Sequence, residues 1–418
     1  MTLETDMIAL GRDAQDAGTK LRLASETARN TALNAMAKHI RHSQDVILAA
    51  NRADMEAAEK KGLSAPLLDR LKLDADRIES IAGGLEAIAA LPDPIGAIET
   101  EWTQPNGLHF SKVRVPLGVI GMIYESRPNV TADAGGLCVK SGNACILRGG
   151  SESVRSNHAI HKALQSGLRD AGLPDTAINL VQTTDRAAVG FMLDGLEATI
   201  DLIIPRGGKG LVSRVQKEAR IPVLAHEDGL NHCYVHESAN IDLAVKVVEN
   251  AKLRRTSVCG STETVLVDAG IASTFLPALE QAIGKSCELR ADIQAINHLK
   301  LAIAATPSDF NTEHLAPILN IAVVDDIDAA LSHIAQYGSG HTDAILAEDA
   351  KAAQIFLDHV DSAIVLHNAS TQYADGGEFG FGAEIGIATG RIHARGPVGA
   401  QHLTSYKYQV RGNGQTRP

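Results

Sequence analysis

Apolar residues recur at helical spacing from Thr5 to about Leu91, as in the stretch ALNAMAKHIRHSQDVILAANRADMEAAEKKG. This period is typical of amphipathic helices, and Gly62 is suited to end one of them. The sequence therefore predicts a helical amino-terminal segment.

The pattern changes after LPDPIG, where β-type residues dominate EWTQPNGLHFSKVRVPLGVIGMIYES. The Asn-Gly pair in its first half favours a tight turn, so we expect a hairpin followed by a buried strand. The C-terminal stretch LTSYKYQVRG is also β-type and stands apart from other strands. It needs a partner, and the hairpin near residue 110 is a candidate.

Two blocks in the rest of the chain alternate short apolar runs with helical patterns. The first begins at ACILRG and ends at IPVLA, and the second extends from about Thr256 to SAIVLHN. Strands that alternate with helices of this length form right-handed crossovers and parallel sheets. The sequence therefore predicts an α/β fold in which two α/β domains share the chain.

Composition and charge narrow the class of protein. The 418 residues are 44% hydrophobic and 21% charged, a balance typical of globular domains. The net charge of −11, without a basic block, argues against a nucleic-acid partner. No apolar run is long enough to span a bilayer, and MTLETDMIAL is acidic where a secretory signal is basic. We therefore expect a cytoplasmic protein without membrane association.

The cysteines form neither a CxxC pair nor a Cys/His group at zinc spacing. An odd number of them also fits poorly with a disulfide framework. We therefore expect free thiols and no metal. They are Cys138, Cys145, Cys233, Cys259 and Cys287.

Two glycine loops in the first block stand where a strand ends and a helix begins. Such places bind nucleotide phosphates, because helix N–H groups point outward there. LRGGSES places Arg148 beside glycines, and PRGGKG contains Gly207 and Gly208. The G-x-G-x-x-G fingerprint is absent, so tight turns without a ligand remain an equal alternative.

Cys259 is the cysteine with the most suggestive neighbours. It follows Lys252, Arg254 and Arg255 at the junction before the second block. Positive charge lowers the pKa of a thiol and enriches the reactive thiolate. Free cysteines are nevertheless common as small buried hydrophobes, and the local pattern alone favours that interpretation.

Five segments, taken in order, resemble the gamma-glutamyl phosphate reductases, which belong to the aldehyde dehydrogenase superfamily. They are KVRVPLGVIGMIYESRPNVTADAGGLCVKSGNACILRGGSES, DLIIPRGGKG, RRTSVCGSTETVLVD, TEHLAPILNIAVVDDIDAAL and HARGPVGAQHLTSYKY. The match extends from about residue 10 to residue 410, and SRPNVT, KSGNA, ILRGG and HARGP together are specific.

The resemblance implies an aldehyde dehydrogenase-like α/β fold, with two parallel-sheet domains and a small β oligomerisation element. Residues 1–100 and 115–253 would form the NADPH-binding domain with the helical amino-terminal segment. Residues 254–395 would form the catalytic domain. The hairpin and the carboxy terminus, residues 101–114 and 396–418, would form the oligomerisation element.

The resemblance also implies roles for individual residues. Cys259 would be the nucleophile, and Asn129 would donate to the oxyanion, although after Pro128 it could equally be a turn residue. Glu313 would hold the nicotinamide ribose, although an exposed loop carboxylate would look the same. The implied cofactor-binding residues are Arg148, Ser151, Gly207, Gly208, Lys209 and Glu313.

The implied reaction is the NADPH-dependent reduction of L-glutamate 5-phosphate to L-glutamate 5-semialdehyde and phosphate, in proline biosynthesis. It would proceed through a thioester on Cys259. Hydrolytic NAD(P)-dependent aldehyde dehydrogenases need a Glu base in an ELGG turn. The corresponding stretch here is LAHEDGLNHC, with only Glu227 or His226 nearby. This departure favours the reductase; a hydrolytic relative and a non-catalytic nucleotide-binding or scaffold protein remain alternatives.

An anionic substrate on a protein of negative net charge requires cations in the cleft. Arg127, Arg255 and Arg395 are the candidates, and each could equally be a surface or helix-capping arginine. Arg148 and Lys209 favour NADPH over NADH, because a 2′-phosphate needs a positive partner. Strands shared between subunits would fit a homodimer or homotetramer, and a transient contact with glutamate 5-kinase is left open.

Overall fold

The computed structural model describes residues 2–417, which divide into two compact units. The first unit contains residues 2–225, Gly380–Gly386 and residues 398–417. The second contains His226–Phe379 and Ile387–Pro397. No helix among the described residues is long and apolar enough to cross a membrane.

The predicted helical amino-terminal segment is confirmed. The side chains of Ser25 and Asp74 cap two of its helices by accepting a backbone N–H, as expected of N-cap residues. Gly62 follows the end of the third helix with a φ of 73°, a conformation that favours glycine. The helices are α1 (Leu3–Leu21), α2 (Glu26–His42), α3 (Gln44–Lys60), α4 (Ala65–Leu71) and α5 (Ala75–Ala90).

The first unit is built around a four-stranded parallel sheet in the order β5-β4-β3-β6. Its strands are β3 (Val119–Tyr124), β4 (Ala144–Gly149), β5 (Ile178–Leu180) and β6 (Leu202–Arg206). The accompanying helices are α6 (Val130–Lys140), α7 (Val154–Asp170), α8 (Ala187–Leu193) and α9 (Lys209–Glu218). All residues of β3 and β5 are buried, as expected of parallel strands covered on both faces.

An antiparallel sheet completes the first unit. Its strands are β1 (Ile98–Thr103), β2 (His109–Pro116) and β16 (Thr404–Arg411), in the order β1-β2-β16. The hairpin predicted around the Asn-Gly pair is confirmed, and it provides the partner expected for the carboxy-terminal strand.

The second unit contains a seven-stranded parallel sheet in the order β10-β9-β11-β8-β7-β12-β13. Its strands are β7 (Asn231–Val235), β8 (Thr262–Asp268), β9 (Glu288–Ala291), β10 (Ile303–Ala304), β11 (Ile318–Val324), β12 (Thr342–Leu346) and β13 (Ile364–His367). Its helices are α10 (Ile241–Leu253), α11 (Ala269–Ile283), α12 (Ile327–Tyr337) and α13 (Ala350–His359), and a short ladder joins β14 (Ile387–Ala388) to β15 (Gly396–Pro397).

Two details correct the sequence-based expectations. The domain boundary expected after residue 253 lies instead after Ala225, because β7 pairs with β8 and β12 and so belongs to the second sheet. The expected strand IPVLA is reduced to a single bridge between Ile203 and Val223. Pro222 has no N–H to extend the ladder.

Candidate active site

Three loops of the second unit meet at the amino ends of adjacent parallel strands. They precede β8, β7 and β12, which are neighbours in the sheet. Each loop contributes one side chain, namely Cys259, His226 and His341. One potential ligand atom from each lies within 4.8 Å of the other two. We call these three residues the thiol–imidazole cluster.

The backbone around Cys259 is fixed by the loop that enters β7. Asn231 donates from Nδ2 to the carbonyl oxygens of Cys259, at 2.6 Å, and of Ser261, at 2.8 Å. A Cβ placed on Gly229 would lie 2.1 Å from the Cys259 oxygen. Only glycine therefore allows this approach without a shift of one loop.

Each imidazole of the cluster has a partner at Nδ1. His226 Nδ1 lies 2.9 Å from the carbonyl oxygen of Ile387, to which it can donate. His341 Nδ1 lies 2.8 Å from Thr342 Oγ1. The two rings are 5.1 Å apart at an angle of 76°. His341 is fully buried, and its Nε2 has no hydrogen-bond partner among residues 2–417.

The environment of Cys259 differs from that of the other four thiols. Burial opposes ionisation of Cys259, but the imidazoles of His341 and His226 outweigh it and hold the pKa of this thiol well below its usual range. Burial raises the pKa of Cys233 to about 12 and that of Cys287 to about 11. Cys259 is also the one cysteine that is only partly buried, so it alone combines access with a stabilised thiolate.

Glu313 lies next to this cluster. Its Oε1 accepts a hydrogen bond of 3.0 Å from the backbone N–H of Gly229. Burial raises the pKa of Glu313, and the negative charge of Cys259 acts in the same direction. The predicted cofactor residue is therefore close to the thiol within the second unit.

In the first unit, the two predicted glycine loops follow β4 and β6 at the carboxyl end of the sheet. Gly208 is the N-cap of α9, and a Cβ placed on it would meet nothing within 4 Å. Gly207 and Lys209 are exposed beside it. The start of α9 is therefore exposed, with the Gly208 N–H donating to Glu125 Oε2 over 3.1 Å.

The loop after β4 is held by Arg148. Its guanidinium donates to the carbonyl oxygens of Gly149, at 3.0 Å, and Thr184, at 3.2 Å, and burial lowers the pKa of this side chain. Ser151 is exposed in the same loop. A shallow depression, lined in part by Gly149 and Thr183, lies at the ends of β4 and β5.

Asn129 precedes α6 and is hydrogen-bonded to the half-buried carboxyl group of Asp133. Its Nδ2 donates to Asp133 Oδ2 over 2.8 Å. Burial raises the pKa of Asp133 to about 6, although the Asn129 hydrogen bond and the charge of Arg206 oppose this. One N–H of the Asn129 amide remains for a further acceptor, because an amide nitrogen carries two.

The three predicted substrate arginines have different surroundings. Arg395 donates to Asp361 Oδ1 and to the Asp361 carbonyl oxygen, both at 2.7 Å, so this guanidinium is bound to a carboxylate within its own unit. Arg255 is exposed, four positions before Cys259. Arg127 is half-buried in the loop between β3 and α6.

His341 was not anticipated from the sequence, and His226 was noted only as a residue near a missing motif. Both stand in short loops directly before buried strands, in GSGHTD and LAHEDG. Because the amino ends of neighbouring parallel strands share one edge, a histidine in such loops is a signal that could have been used. The order of the strands, which sequence does not give, decides which loops meet.

Comparison with known proteins identifies the family. The sequence model of the aldehyde dehydrogenase family matches residues 3–294. The chain belongs to the aldehyde dehydrogenase family. Among the members of this family that it resembles is a gamma-glutamyl phosphate reductase of Caulobacter vibrioides, 60% identical over 99% of this chain and all of that protein. A reductase of the same name from Rhodopseudomonas palustris is 56% identical over all of this chain and 97% of that protein.

Solved structures of aldehyde dehydrogenases agree with the fold. A gamma-glutamyl phosphate reductase from Thermotoga maritima superposes with a TM-score of 0.96 at 40% identity, covering 99% of this chain and all of that one. An acetylating aldehyde dehydrogenase from Geobacillus thermoglucosidasius shares the fold at 19% identity, with a TM-score of 0.68 over 100% of this chain and 99% of that one. The predicted family and the aldehyde dehydrogenase-like α/β fold are both confirmed.

Proposed function

We propose that this chain reduces L-glutamate 5-phosphate to L-glutamate 5-semialdehyde and phosphate, as a step of proline biosynthesis. NADPH would be the reductant, and Cys259 the covalent nucleophile. Relatives named gamma-glutamyl phosphate reductase, 55–60% identical over 98–100% of the chain, support the substrate. The chemistry of the thiol–imidazole cluster supports the nucleophile.

The observation that carries the proposal is the setting of Cys259. A thiolate is a far better nucleophile than a thiol, and imidazolium groups are typical activators of catalytic cysteines. Cys259 has two imidazoles beside it, a pKa well below the usual range and partial access to solvent. The other four cysteines are buried.

In the first step, Cys259 Sγ attacks the acyl carbon of the substrate, and the bond from this carbon to the phosphate oxygen breaks. Phosphate leaves with the bonding electron pair, and a thioester remains on Cys259. After reduction of the thioester carbon, the C–S bond breaks, the aldehyde leaves and the thiolate is regenerated. The imidazoles would stabilise the thiolate at the start and at the end of the cycle.

The nicotinamide cofactor, which enzymes of this family use, supplies the hydride when bound. The exposed loop before α9 supports this assignment, because a Cβ on Gly208 would meet nothing within 4 Å. The Gly208 N–H donates to Glu125 Oε2, and a phosphate would take the place of this carboxylate. We assign Arg148, Ser151, Gly207, Gly208 and Lys209 to its phosphates and ribose. Arg148 and Lys209 provide the positive charge that favours NADPH, and Glu313 would hold the nicotinamide ribose.

The remaining assignments concern the substrate. Asn129 is proposed as a donor to the oxyanion, with its amide oriented by Asp133. Arg255 and Arg127 are proposed to bind the anionic groups of the substrate. Arg395 is a weaker candidate than these two, because Asp361 already neutralises its charge.

The absence of an ELGG turn favours reduction over hydrolysis. The residue of LAHEDG in the thiol–imidazole cluster is His226, whereas Glu227 is exposed. The thiol–imidazole cluster therefore contains no carboxylate in the place of the ELGG base that the hydrolytic step of oxidising relatives needs.

For the assembly, we propose a homodimer or homotetramer in the cytoplasm. β1 and β16 are the edges of the antiparallel sheet, and β16 exposes Tyr406, Tyr408 and Val410. An exposed apolar edge strand is a common surface for pairing between subunits. A transient contact with glutamate 5-kinase would protect the unstable acyl phosphate.

Replacement of Cys259 tests the covalent route. Cys259→Ser should fold but lose measurable reductase activity with NADPH and L-glutamate 5-phosphate, because a hydroxyl is a much weaker nucleophile and leaving group than a thiol. Cys233→Ser is the matched control, because it makes the same replacement at a thiol that contacts Thr262 Oγ1 inside the second unit. Turnover of Cys259→Ser near that of the unchanged protein would refute the covalent route.

The reverse reaction separates the proposed function from its alternatives. Oxidation of glutamate 5-semialdehyde with NADP⁺ should require phosphate, since phosphate is the acceptor that releases the acyl group from Cys259. Oxidation at the same rate without phosphate would indicate a hydrolytic aldehyde dehydrogenase. A folded protein that binds NADPH but catalyses neither direction would indicate a scaffold.

A further inference from the structure

The thiol–imidazole cluster has the composition of a zinc site with an open position. It offers one thiol sulfur and two imidazole nitrogens within 4.8 Å of one another. Thiolate and imidazole are ligands that Zn²⁺ prefers, whereas Ca²⁺ and Mg²⁺ prefer oxygen. Three protein ligands with a fourth position left to water is the usual arrangement of an accessible zinc site.

The contacts behind the two imidazoles are those of metal-binding histidines. A histidine that binds a metal through one ring nitrogen normally donates from the other to a carbonyl or similar group. His226 Nδ1 contacts the Ile387 carbonyl oxygen, and His341 Nδ1 contacts Thr342 Oγ1. Nε2 is therefore the nitrogen that each ring offers to the cluster.

His341 gives the second, independent observation. Its side chain is completely buried, and its Nε2 lacks a hydrogen-bond partner among the described residues. A buried polar atom left without a partner costs free energy, on the order of 1–3 kcal/mol. The Cys259 sulfur is the group that lies toward this nitrogen. A metal between the two atoms would give the nitrogen a stronger partner.

The distances require only a small contraction. In a tetrahedral zinc site with Zn–N and Zn–S bonds of 2.0–2.3 Å, ligand atoms lie roughly 3.3–3.6 Å apart. The atoms of the cluster are already within 4.8 Å of each other. Side-chain rotations that move each ligand atom by about 1 Å would bring the three atoms to these separations. Cys259 is partly exposed, so one side of the site is open to water.

We propose that the thiol–imidazole cluster binds one Zn²⁺ ion reversibly, and that zinc inhibits the enzyme by occupying the Cys259 sulfur. A bond forms between Zn²⁺ and Sγ, any proton held by the sulfur or by the metal-binding nitrogens of the imidazoles passes to solvent, and nothing is oxidised or reduced. His226 and His341 supply two further ligands, and water completes the coordination. Binding stands on the geometry alone; inhibition in addition rests on the proposed function.

Cobalt titration tests binding without any activity measurement. CoCl₂ added to the chelator-treated full chain should saturate at one ion per chain, with a thiolate-to-cobalt charge-transfer band in the near ultraviolet. The band should be lost in Cys259→Ser. His226→Gln and His341→Gln should each weaken binding by at least about 100-fold, the upper end of what altered metal surroundings cost. His359→Gln, an exposed histidine of α13, should bind as the unchanged chain does.

A second measurement needs no substitution, so it remains informative if a histidine variant does not fold. ZnCl₂ at one equivalent should slow the alkylation of Cys259 by iodoacetamide at least about tenfold, measured by peptide mass spectrometry, whereas MgCl₂ should not. Absence of the charge-transfer band, an unchanged cobalt affinity in both histidine variants, or unprotected alkylation would each overturn the site.

The two proposals fail in distinguishable ways. If Cys259 binds zinc but is not the nucleophile, the cobalt band and the protection will be present while zinc leaves the reductase activity intact. If the site does not bind zinc, Cys259→Ser will still abolish the activity, and ZnCl₂ will leave the turnover of the unchanged chain unaffected.

Discussion

The two parallel sheets present their chemistry at opposite ends of their strands. In the first unit, the glycine loops and Arg148 follow β4 and β6 at the carboxyl end, where the start of α9 is exposed. In the second unit, His226, Cys259 and His341 precede β7, β8 and β12 at the amino end. Ligands of α/β sheets usually bind beyond the carboxyl ends of the strands. The difference teaches that this rule applies to phosphate sites, because these sites depend on the N–H groups at the start of a helix.

A covalent nucleophile has other requirements. It needs close backbone approach to hold its loop and nearby cations to stabilise its charge, and neither depends on a helix terminus. Asn231 and Gly229 provide the first, and the two imidazoles provide the second. The following experiments perturb one feature of each sheet end at a time.

The largest effect on kcat among these experiments is expected where the backbone of Gly229 approaches that of Cys259 in the second unit. Gly229→Ala would place a Cβ 2.1 Å from the Cys259 oxygen, so one loop must move. A displacement of about 1 Å at a reacting group costs on the order of 100-fold in rate. We expect kcat to fall by at least about this factor, measured by NADPH oxidation. Gly190→Ala, where an added Cβ meets nothing within 4 Å, is the control; equal kcat values for the two variants would contradict the role of Gly229.

The next effect concerns Asp133, a half-buried carboxyl group of the first unit. Burial raises the pKa of Asp133 from 3.8 to about 6, so the unfolded chain loses this proton at lower pH than the folded one. The protein should therefore lose stability as pH rises from about 4 to 6, by up to about 3 kcal/mol, and not regain it above. Asp133→Asn removes this loss and keeps an acceptor for Asn129.

Urea unfolding over this pH range measures the difference between Asp133→Asn and the unchanged chain. The variant should be the more stable one above about pH 6, and the two should converge near pH 4. Asp13→Asn, at an exposed carboxyl group of α1 in the same unit, is the control. A stability difference for Asp133→Asn that does not change with pH would show that ionisation of Asp133 is not its cause.

How far the sequence predicts these sites depends on how local each signal is. The loop after β6 was predicted because Gly207, Gly208 and the strand before them are contiguous. β7 was missed because NHCYV is short and begins with polar residues, and its membership of the second sheet depends on pairing with β8 and β12. The domain boundary was displaced for the same reason.

Cys259 shows the limit most clearly. Its arginine-rich local sequence suggested cations at Arg254 and Arg255, yet both are exposed, and the pKa of the thiol is lowered by histidines from distant loops. Family resemblance located the thiol, but strand order brought the imidazoles to it. His341 could therefore not be assigned before the sheet was known.

A smaller effect should come from the imidazoles themselves. His226→Gln and His341→Gln should each slow alkylation of Cys259 by iodoacetamide about tenfold near neutral pH, because a smaller fraction of the sulfur is thiolate. Peptide mass spectrometry after timed quenching gives the rate, and His359→Gln is the matched surface control. Unchanged rates in both cluster variants would mean that the thiolate is stabilised by other groups.

An effect of the same size, about tenfold, is expected at Arg148, at the carboxyl end of the first sheet. Its guanidinium donates to the carbonyl oxygens of Gly149 and Thr184, so Arg148→Gln alters the loop as well as the charge. Loss of a charge partner of the 2′-phosphate should lower kcat/KM for NADPH about tenfold, which corresponds to the loss of one charged hydrogen bond. The kcat/KM for NADH should fall less. Lys209→Gln is the companion variant at the other loop, and thermal unfolding of both separates loop damage from charge loss. If kcat/KM falls by the same factor with NADH and with NADPH, Arg148 holds the loop and does not bind the 2′-phosphate. The carboxyl end of the first sheet would then not select the cofactor through this residue.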